Sequence, residues 1–207
     1  MTTTETPEQQ VATPLASQGI TKVYAVQHAQ IAALLTDTAG AAATFGEWFD
    51  VPGIKSFEIS GDMETKELRG DNRLIDSQST IKKVTAKFEH AKLSLMNLQV
   101  MLGGAVPASD TLPYSGMGWQ LPITAFPQPF GMRVASATQD APGGAVLFSM
   151  TRCSLSKFPE IGAAEDDYKI VSAEINIVPP VGTSDWLAIT IVPTYAPPAA
   201  WAPDSST

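Results

Sequence analysis

Strict alternation of apolar and polar side chains marks three stretches of this chain. Residues 54–60 place Phe57 and Ile59 on one side and Ser56, Glu58 and Ser60 on the other. Residues 81–90 place Val84, Ala86 and Phe88 on one side, with Lys83, Thr85, Lys87 and Glu89 opposite. Within 168–178, Val171, Ala173, Ile175 and Ile177 alternate with Ser172, Glu174 and Asn176. A period of two with one polar side predicts strands of a sheet that has one wet face. Residues 22–28, where Val23 and Ala25 oppose Tyr24 and Val26, and the runs 130–138, 145–155 and 186–195 predict further strands. Residues 186–192 are apolar on both sides, which predicts a strand covered on both faces.

One segment departs from period two. Ala91, Leu95, Leu98 and Leu102 fall on one helical stripe, Ser94 is placed to cap the N-terminus, and Gly103-Gly104 ends the element. A helix of about two turns is predicted there. The loop that follows, 103–129, holds five prolines and four glycines and is long enough to need a purpose. Residues 1–19, rich in Thr, Gln and Pro, read as an extended N-terminal arm, and 196–207 as a Pro-rich tail. Proline cannot donate to a ladder, so neither belongs inside a sheet. No internal repeat or heptad is present. The fold class expected is mostly β, a β-sandwich or partly closed barrel over 20–195, with one short flanking α-helix.

Composition narrows the setting. The chain has 207 residues, 44% of them hydrophobic, enough to bury a full core without staples. A lone cysteine, Cys153, excludes an internal disulfide framework and a Cys-rich metal site. The start, Met1-Thr2-Thr3-Thr4-Glu5, has neither a basic nor an apolar region of the secretory kind, and no apolar run approaches the ~20 residues that span a bilayer. A reducing, cytoplasm-like compartment and no membrane partner are therefore expected. A net charge of −8 excludes a protein that grips nucleic acid through a cationic footprint, and any contact with DNA is expected to be weak.

The charges are unevenly spread. Residues 1–53 carry Lys22 against Glu5, Glu8, Asp37, Glu47 and Asp50, whereas 54–92 mix eight basic with seven acidic side chains. That middle block reads either as a solvated, salt-bridged hairpin surface or as a self-complementary interface in which mixed signs fix register between identical subunits. Glu64, Lys66, Glu67, Arg69, Asp71 and Arg73 crowd around Gly70 with Leu68 the only large apolar residue among them. Desolvating that many charges costs more than one leucine returns. The segment is therefore expected to project as a loop or hairpin tip and to meet a neighbouring subunit through charge pairs.

Candidate chemistry is sparse. His28 and His90 are the only histidines, and both sit in strand-like runs beside apolar residues, so they are read as structural. No G-x-S-x-G elbow, P-loop or dinucleotide fingerprint occurs, and Cys153 reads as a buried small hydrophobe. Glu165-Asp166-Asp167 lacks the Gly-containing loop of a calcium site and reads as a solvated turn. Arg69-Gly70-Asp71 spells a tripeptide of cell-adhesion ligands, but Gly70-Asp71-Asn72 reads as turn chemistry. Trp48, Trp119, Trp186 and Trp201 could form a sugar platform, yet they lie in four separate segments, which favours packing roles. No enzyme activity, metal or cofactor is expected.

Pro52-Gly53-Ile54, then Phe57-Glu58-Ile59-Ser60-Gly61-Asp62 and Glu67-Leu68-Arg69-Gly70-Asp71-Asn72, resemble the major tail tube protein of long-tailed (siphovirus-like) bacteriophages. The likeness continues through Phe88-Glu89-His90-Ala91, the Leu-rich helix and Leu102-Gly103-Gly104. It returns at Asp140 with Gly143-Gly144, at Cys153-Ser154-Leu155 with Phe158, and at Asp166-Asp167-Tyr168-Lys169-Ile170-Val171. Loop 103–129 and the polar N-terminus do not map onto it.

The resemblance implies a β-sandwich-like domain with a flanking helix, assembled as hexameric rings stacked into a hollow tube in the virion. The inner wall would be a continuous β-barrel passing the genome, with a tape measure protein in the lumen and tail terminator and tip proteins at the ends. Assembly would take place in the host cytoplasm. On that reading Glu58, Lys83, Lys87 and Glu89 are candidates to face the lumen, where an acidic or neutralised wall lets DNA slide. If their strands pair, Glu58 lies near Lys83 or Lys87; a place between subunits is the other reading for these lysines. A virion decoration or baseplate-associated protein and a β-sandwich binding module are the alternative functions.

Overall fold

In a computed structural model the structure describes residues 21–70, 73–106, 118–139, 143–162, 171–182 and 185–196; of 70 and 73–75 it describes the backbone alone. The arm 1–19, the tail beyond Ala196, the turn at 71–72, the acidic cluster 165–167 and the middle of loop 103–129 lie outside those residues.

Eight strands and one helix follow in the order β1 (Val23–Thr36), β2 (Thr44–Asp50), β3 (Ile54–Gly70), β4 (Arg73–His90), α1 (Leu95–Leu102), β5 (Phe130–Thr138), β6 (Ala145–Leu155), β7 (Val171–Ile177) and β8 (Ala188–Val192). The strands form a single antiparallel sheet in the order β2-β1-β5-β6-β7-β4-β3, with β8 paired to β6 beside β7. The protein is thus mostly β with one helix. The sheet is not closed into a barrel, because β2 and β3 end the path without pairing to each other.

The sheet is nevertheless strongly curled. Phe57 of β3 and Phe148 of β6 have ring centroids 5.5 Å apart, although β7 and β4 lie between their strands. Three flat strand spacings would separate them by about 14 Å. The curl encloses one core, with Ile31 of β1, Phe88 of β4, Phe130 and Met132 of β5, Met150 of β6 and Ile175 of β7 all buried around α1. The helix is bounded as its sequence predicts. Ser94 Oγ accepts from the Asn97 N–H at 3.3 Å, and Gly103, at φ 76°, donates its N–H to the Gln99 carbonyl at 2.8 Å. Leu98, Met101 and Leu102 are buried beneath it.

The period-two stretches behave as expected. Across β3 and β4, Phe57 faces Phe88 and Ile59 faces Ala86 on the core side, and Ala86 in turn faces Ile175 of β7. Three readings need correction. β1 runs to Thr36 instead of ending near His28, since Ala29 to Ala32 are buried on both faces between β2 and β5. β2 was not foreseen, its mixed sequence TFGEWFD being held by pairing to β1. β8 is not covered on both faces: Ile189 is 58% and Ile191 37% exposed, because β8 is an edge strand.

Candidate functional site

Most of the candidate residues converge on the β3–β4 hairpin. The two strands pair along their whole length, but β7 supports β4 only from Val84 to His90. Beyond Gly61 and Val84 the hairpin continues as a two-stranded arm, about 27 Å long over residues 63–70 at the usual strand rise. A register shift marks its base: Asp62 faces Lys83, then Met63 faces Ile81, so Lys82 is an extra residue on β4. Such a bulge bends and twists a strand pair where it leaves the sheet.

The arm is solvated nearly throughout. Of the side chains described at 61–69 and 76–83, all but that of Glu64 are exposed. Met63, Leu68 and Ile81 are 66%, 60% and 53% exposed. Cross-strand contacts hold the pair: Thr65 Oγ1 lies 2.8 Å from Ser79 Oγ, and Lys82 forms an ion pair with Glu64. Arg69 donates from Nε and Nη2 to Glu67 Oε2 at 2.8 and 2.7 Å.

Glu64, Lys66, Glu67 and Arg69 therefore sit on extended strand, on the arm and not only at its tip. The side chains of Asp71 and Arg73 lie outside the described residues. Since side chains alternate, Glu64 and Lys66 share one face with Leu68, and Glu67 and Arg69 share the other with Met63.

Glu58, Lys83, Lys87 and Glu89 come together on the polar face of the sheet below the arm. Glu58 faces Lys87, which faces Glu174 of β7, giving a row of alternating charge across three strands. Lys83 faces Asp62 one step further out. Lys87 Nζ bonds Glu89 Oε1 at 3.0 Å; that hydrogen bond and the charge of Glu89 raise the lysine pKa and hold the Glu89 carboxyl below its usual range. Lys157 adds ion pairs to Glu160 at 3.1 Å and to Glu174 at 3.9 Å. Lys83, Lys87 and Lys157 thus each have an acid opposite or bonded to them.

His90 and Cys153 are both buried in the core. His90 is 2% exposed, stacks on Phe88 and lies 2.6 Å by Nδ1 from the Lys92 carbonyl; burial lowers its pKa. Cys153 is fully buried, which pushes its thiol pKa up, away from thiolate chemistry. Among the described residues no group of three or more His, Cys, Asp or Glu side chains could hold a metal ion, and no helix is long and apolar enough to cross a membrane.

Sequence reasoning missed three polar arrangements because their partners are far apart in the chain. Asp50 Oδ1 lies 3.1 Å from His28 Nε2 and accepts from Gln30 Nε2 at 3.0 Å. The Arg133 guanidinium lies 4.1 Å from the Trp48 ring centroid, a cation–π stack. Beside it a cavity of about 460 Å³ opens between β5, β6 and residues 192–196, with Arg133, Ser149, Thr194 and Tyr195 as its polar lining. Burial and then Asp50 push the Tyr195 hydroxyl up to about 12. Third, Asp37 joins Arg152 to the backbone N–H groups of Val181 and Gly182. Of the described tryptophans, Trp119 donates to the Gly103 carbonyl at 2.9 Å, Trp48 stacks with Arg133, and Trp186 packs against the core; Trp201 lies outside the described residues.

Compared with known protein families and with curated proteins, the chain matches none.

Proposed function

We propose that this protein is a structural subunit that assembles with copies of itself, and that the specific assembly is the phage tail tube implied by the resemblance of residues 52–104. The observation that carries the reading is the two-stranded arm. An isolated two-stranded hairpin is marginal in water, and this one exposes Met63, Leu68 and Ile81. A partner surface that completes it gives such an element a purpose. The edge strand β8, with Ile189 and Ile191 exposed, is a second surface of the same kind.

The finer features of the reading fit that frame. A curled sheet with a flanking helix suits the tail-tube-like sandwich or partly closed barrel. Glu58, Lys83, Lys87 and Glu89, interleaved on one polar face, suit a lumen wall along which DNA slides without counterion-release adhesion. The tape measure, terminator and tip proteins would then be the partners of the assembled tube in the virion.

Negative-stain microscopy of the purified chain tests the reading. Rings or tubes with a central channel are expected. A species that stays monomeric at high concentration, across salt strengths and with nucleating tail proteins present, overturns it. Assembly onto a virion surface without tubes would point to the decoration or baseplate role. A β-rich binding module is the second reading, and the cavity at Arg133 and Tyr195 favours it, since about 300–1,000 Å³ is the size of a small-molecule site. It requires a monomer whose Arg133→Ala variant loses a ligand while nothing about its association changes.

A further inference from the structure

We propose that two copies of this chain pair through the free outer edge of β3, antiparallel about a two-fold axis, with Thr65 facing Thr65 of the second copy. The inference rests on the reading of the arm as a self-assembly element and narrows its partner and register.

β3 ends the sheet path, so among the described residues one side of its backbone has no strand partner over the length of the arm. Edges of this kind are usually blunted by proline, by charge, by bulges or by a covering element; here the charges are of both signs, so they repel most neighbours and admit a complementary one. Residues 61–69 contain no proline, and among the described residues no strand pairs with their outer edge.

Charge decides the partner and the register. Glu64 and Lys66 flank Thr65 on the same face. In an antiparallel pair of identical strands with Thr65 on the axis, each Glu64 stands opposite the other copy's Lys66, so symmetry supplies two opposite-charge pairs. On the other face Met63 lies across from Glu67, along its aliphatic stem. A shift of two positions one way sets Glu64 against Glu64, and the other way Lys66 against Lys66. A one-residue slip puts the two faces of the arm on opposite sides. A register centred on Leu68 would set Glu67 against Arg69, but those two already close an ion pair within each chain, so the Thr65-centred register is the one that gives Lys66 a new carboxylate.

Within each chain Glu64 already pairs with Lys82 and Lys66 faces Gln78 across the hairpin. The new contact gives Lys66 a carboxylate and sets Glu64 between two lysines. The pair is a closed dimer of free subunits, and it leaves the edge strands β2 and β8 uncovered for further assembly.

A disulfide trap reads the register directly. Cys153 is the chain's one cysteine and is buried, so it does not compete. Thr65→Cys in the full chain brings two thiols face to face across the axis and is expected to give a covalent dimer under mild oxidation. Leu68→Cys, whose partner position is Asp62, holds its two thiols about 20 Å apart at the usual strand rise and is expected to stay reducible to monomer throughout. By sedimentation, Glu64→Lys and Lys66→Glu singly weaken the dimer about tenfold each, and the double exchange restores it. Cross-linking at neither position, equal cross-linking at both, or no rescue by the double exchange overturns the proposal. Rings or tubes without the Thr65 cross-link would sink this pairing and leave the self-assembly reading standing. Absence of any association, with a folded monomer by circular dichroism, would sink both.

Discussion

Replacing Asp37 with alanine tests the tie that holds the end of β1 to β6 and to the loop after β7. The side chain of Asp37 is 9% exposed; Oδ2 lies 3.1 Å from Arg152 Nη1, and Oδ1 accepts the N–H groups of Val181 at 2.8 Å and Gly182 at 3.3 Å. The loop packs closely there, since a Cβ on Gly182 would stand 2.3 Å from the Ala41 carbonyl oxygen. Alanine leaves the part-buried Gly182 N–H without its acceptor, which costs about 1–3 kcal/mol. It also strands Arg152, but that side chain is 33% exposed, so water recovers much of its charge. The ~3–5 kcal/mol typical of breaking a buried pair is therefore discounted to about 1 kcal/mol. The Val181 N–H is exposed and passes to water. The sum is about 3 kcal/mol, a fall in Tm of roughly 6–12 °C for a chain of this size. Thermal and urea melts of dilute protein measure it, with Asp37→Asn, which keeps an acceptor, losing about a third as much. In an Arg152→Met background the Asp37→Ala loss should shrink, because the stranded cation is gone. A loss below about 1 kcal/mol for Asp37→Ala, or full additivity with Arg152→Met, would refute the account of this tie.

Three further outcomes are expected. The lowered His90 pKa means that the unfolded chain takes up a proton before the folded one does, so the contribution of neutral His90 is complete above its ordinary value of about 6.5 and is lost as pH falls through its folded value; urea melts between pH 7.5 and 5 should show this slope, and His90→Phe should flatten it. Gly131→Ala places a Cβ 2.4 Å from Phe45 Cε1, so it should cost about 1–3 kcal/mol in thermal melts, and Phe45→Ala should recover part of that loss. Arg69→Glu removes an exposed pair with Glu67 and should change monomer stability by only ~0–1 kcal/mol while weakening assembly; normal assembly at low and high salt would mark the arm's charges as merely solvated.

Much of this fold is determined locally, and those parts were legible. Strands β5 and β6 follow from apolar runs whose ends coincide with the observed ones, and α1 follows from Ser94, its Leu stripe and Gly103. On β4 and β7, side-chain alternation alone assigns Val84, Phe88, Ala173 and Ile175 to the core, since a strand facing water on one side must carry that pattern. If β3 and β4 pair, alternation places Glu58 near Lys83 or Lys87, and the observed register sets it opposite Lys87.

Tertiary structure decided the rest. In 61–70 and 73–83 the few apolar residues follow no period of two, so no pattern announces a strand; cross-strand pairing keeps the chain extended. β2 owes its place to β1 in the same way. In β8 the apolar residues recorded composition but not cover, because burial depends on what the sheet places above a side chain, and the sheet ends there. Asp37 and Arg152, separated by 115 positions, meet only once the sheet has curled. A long-range contact between polar groups leaves no periodic trace in the chain, whereas an apolar face does.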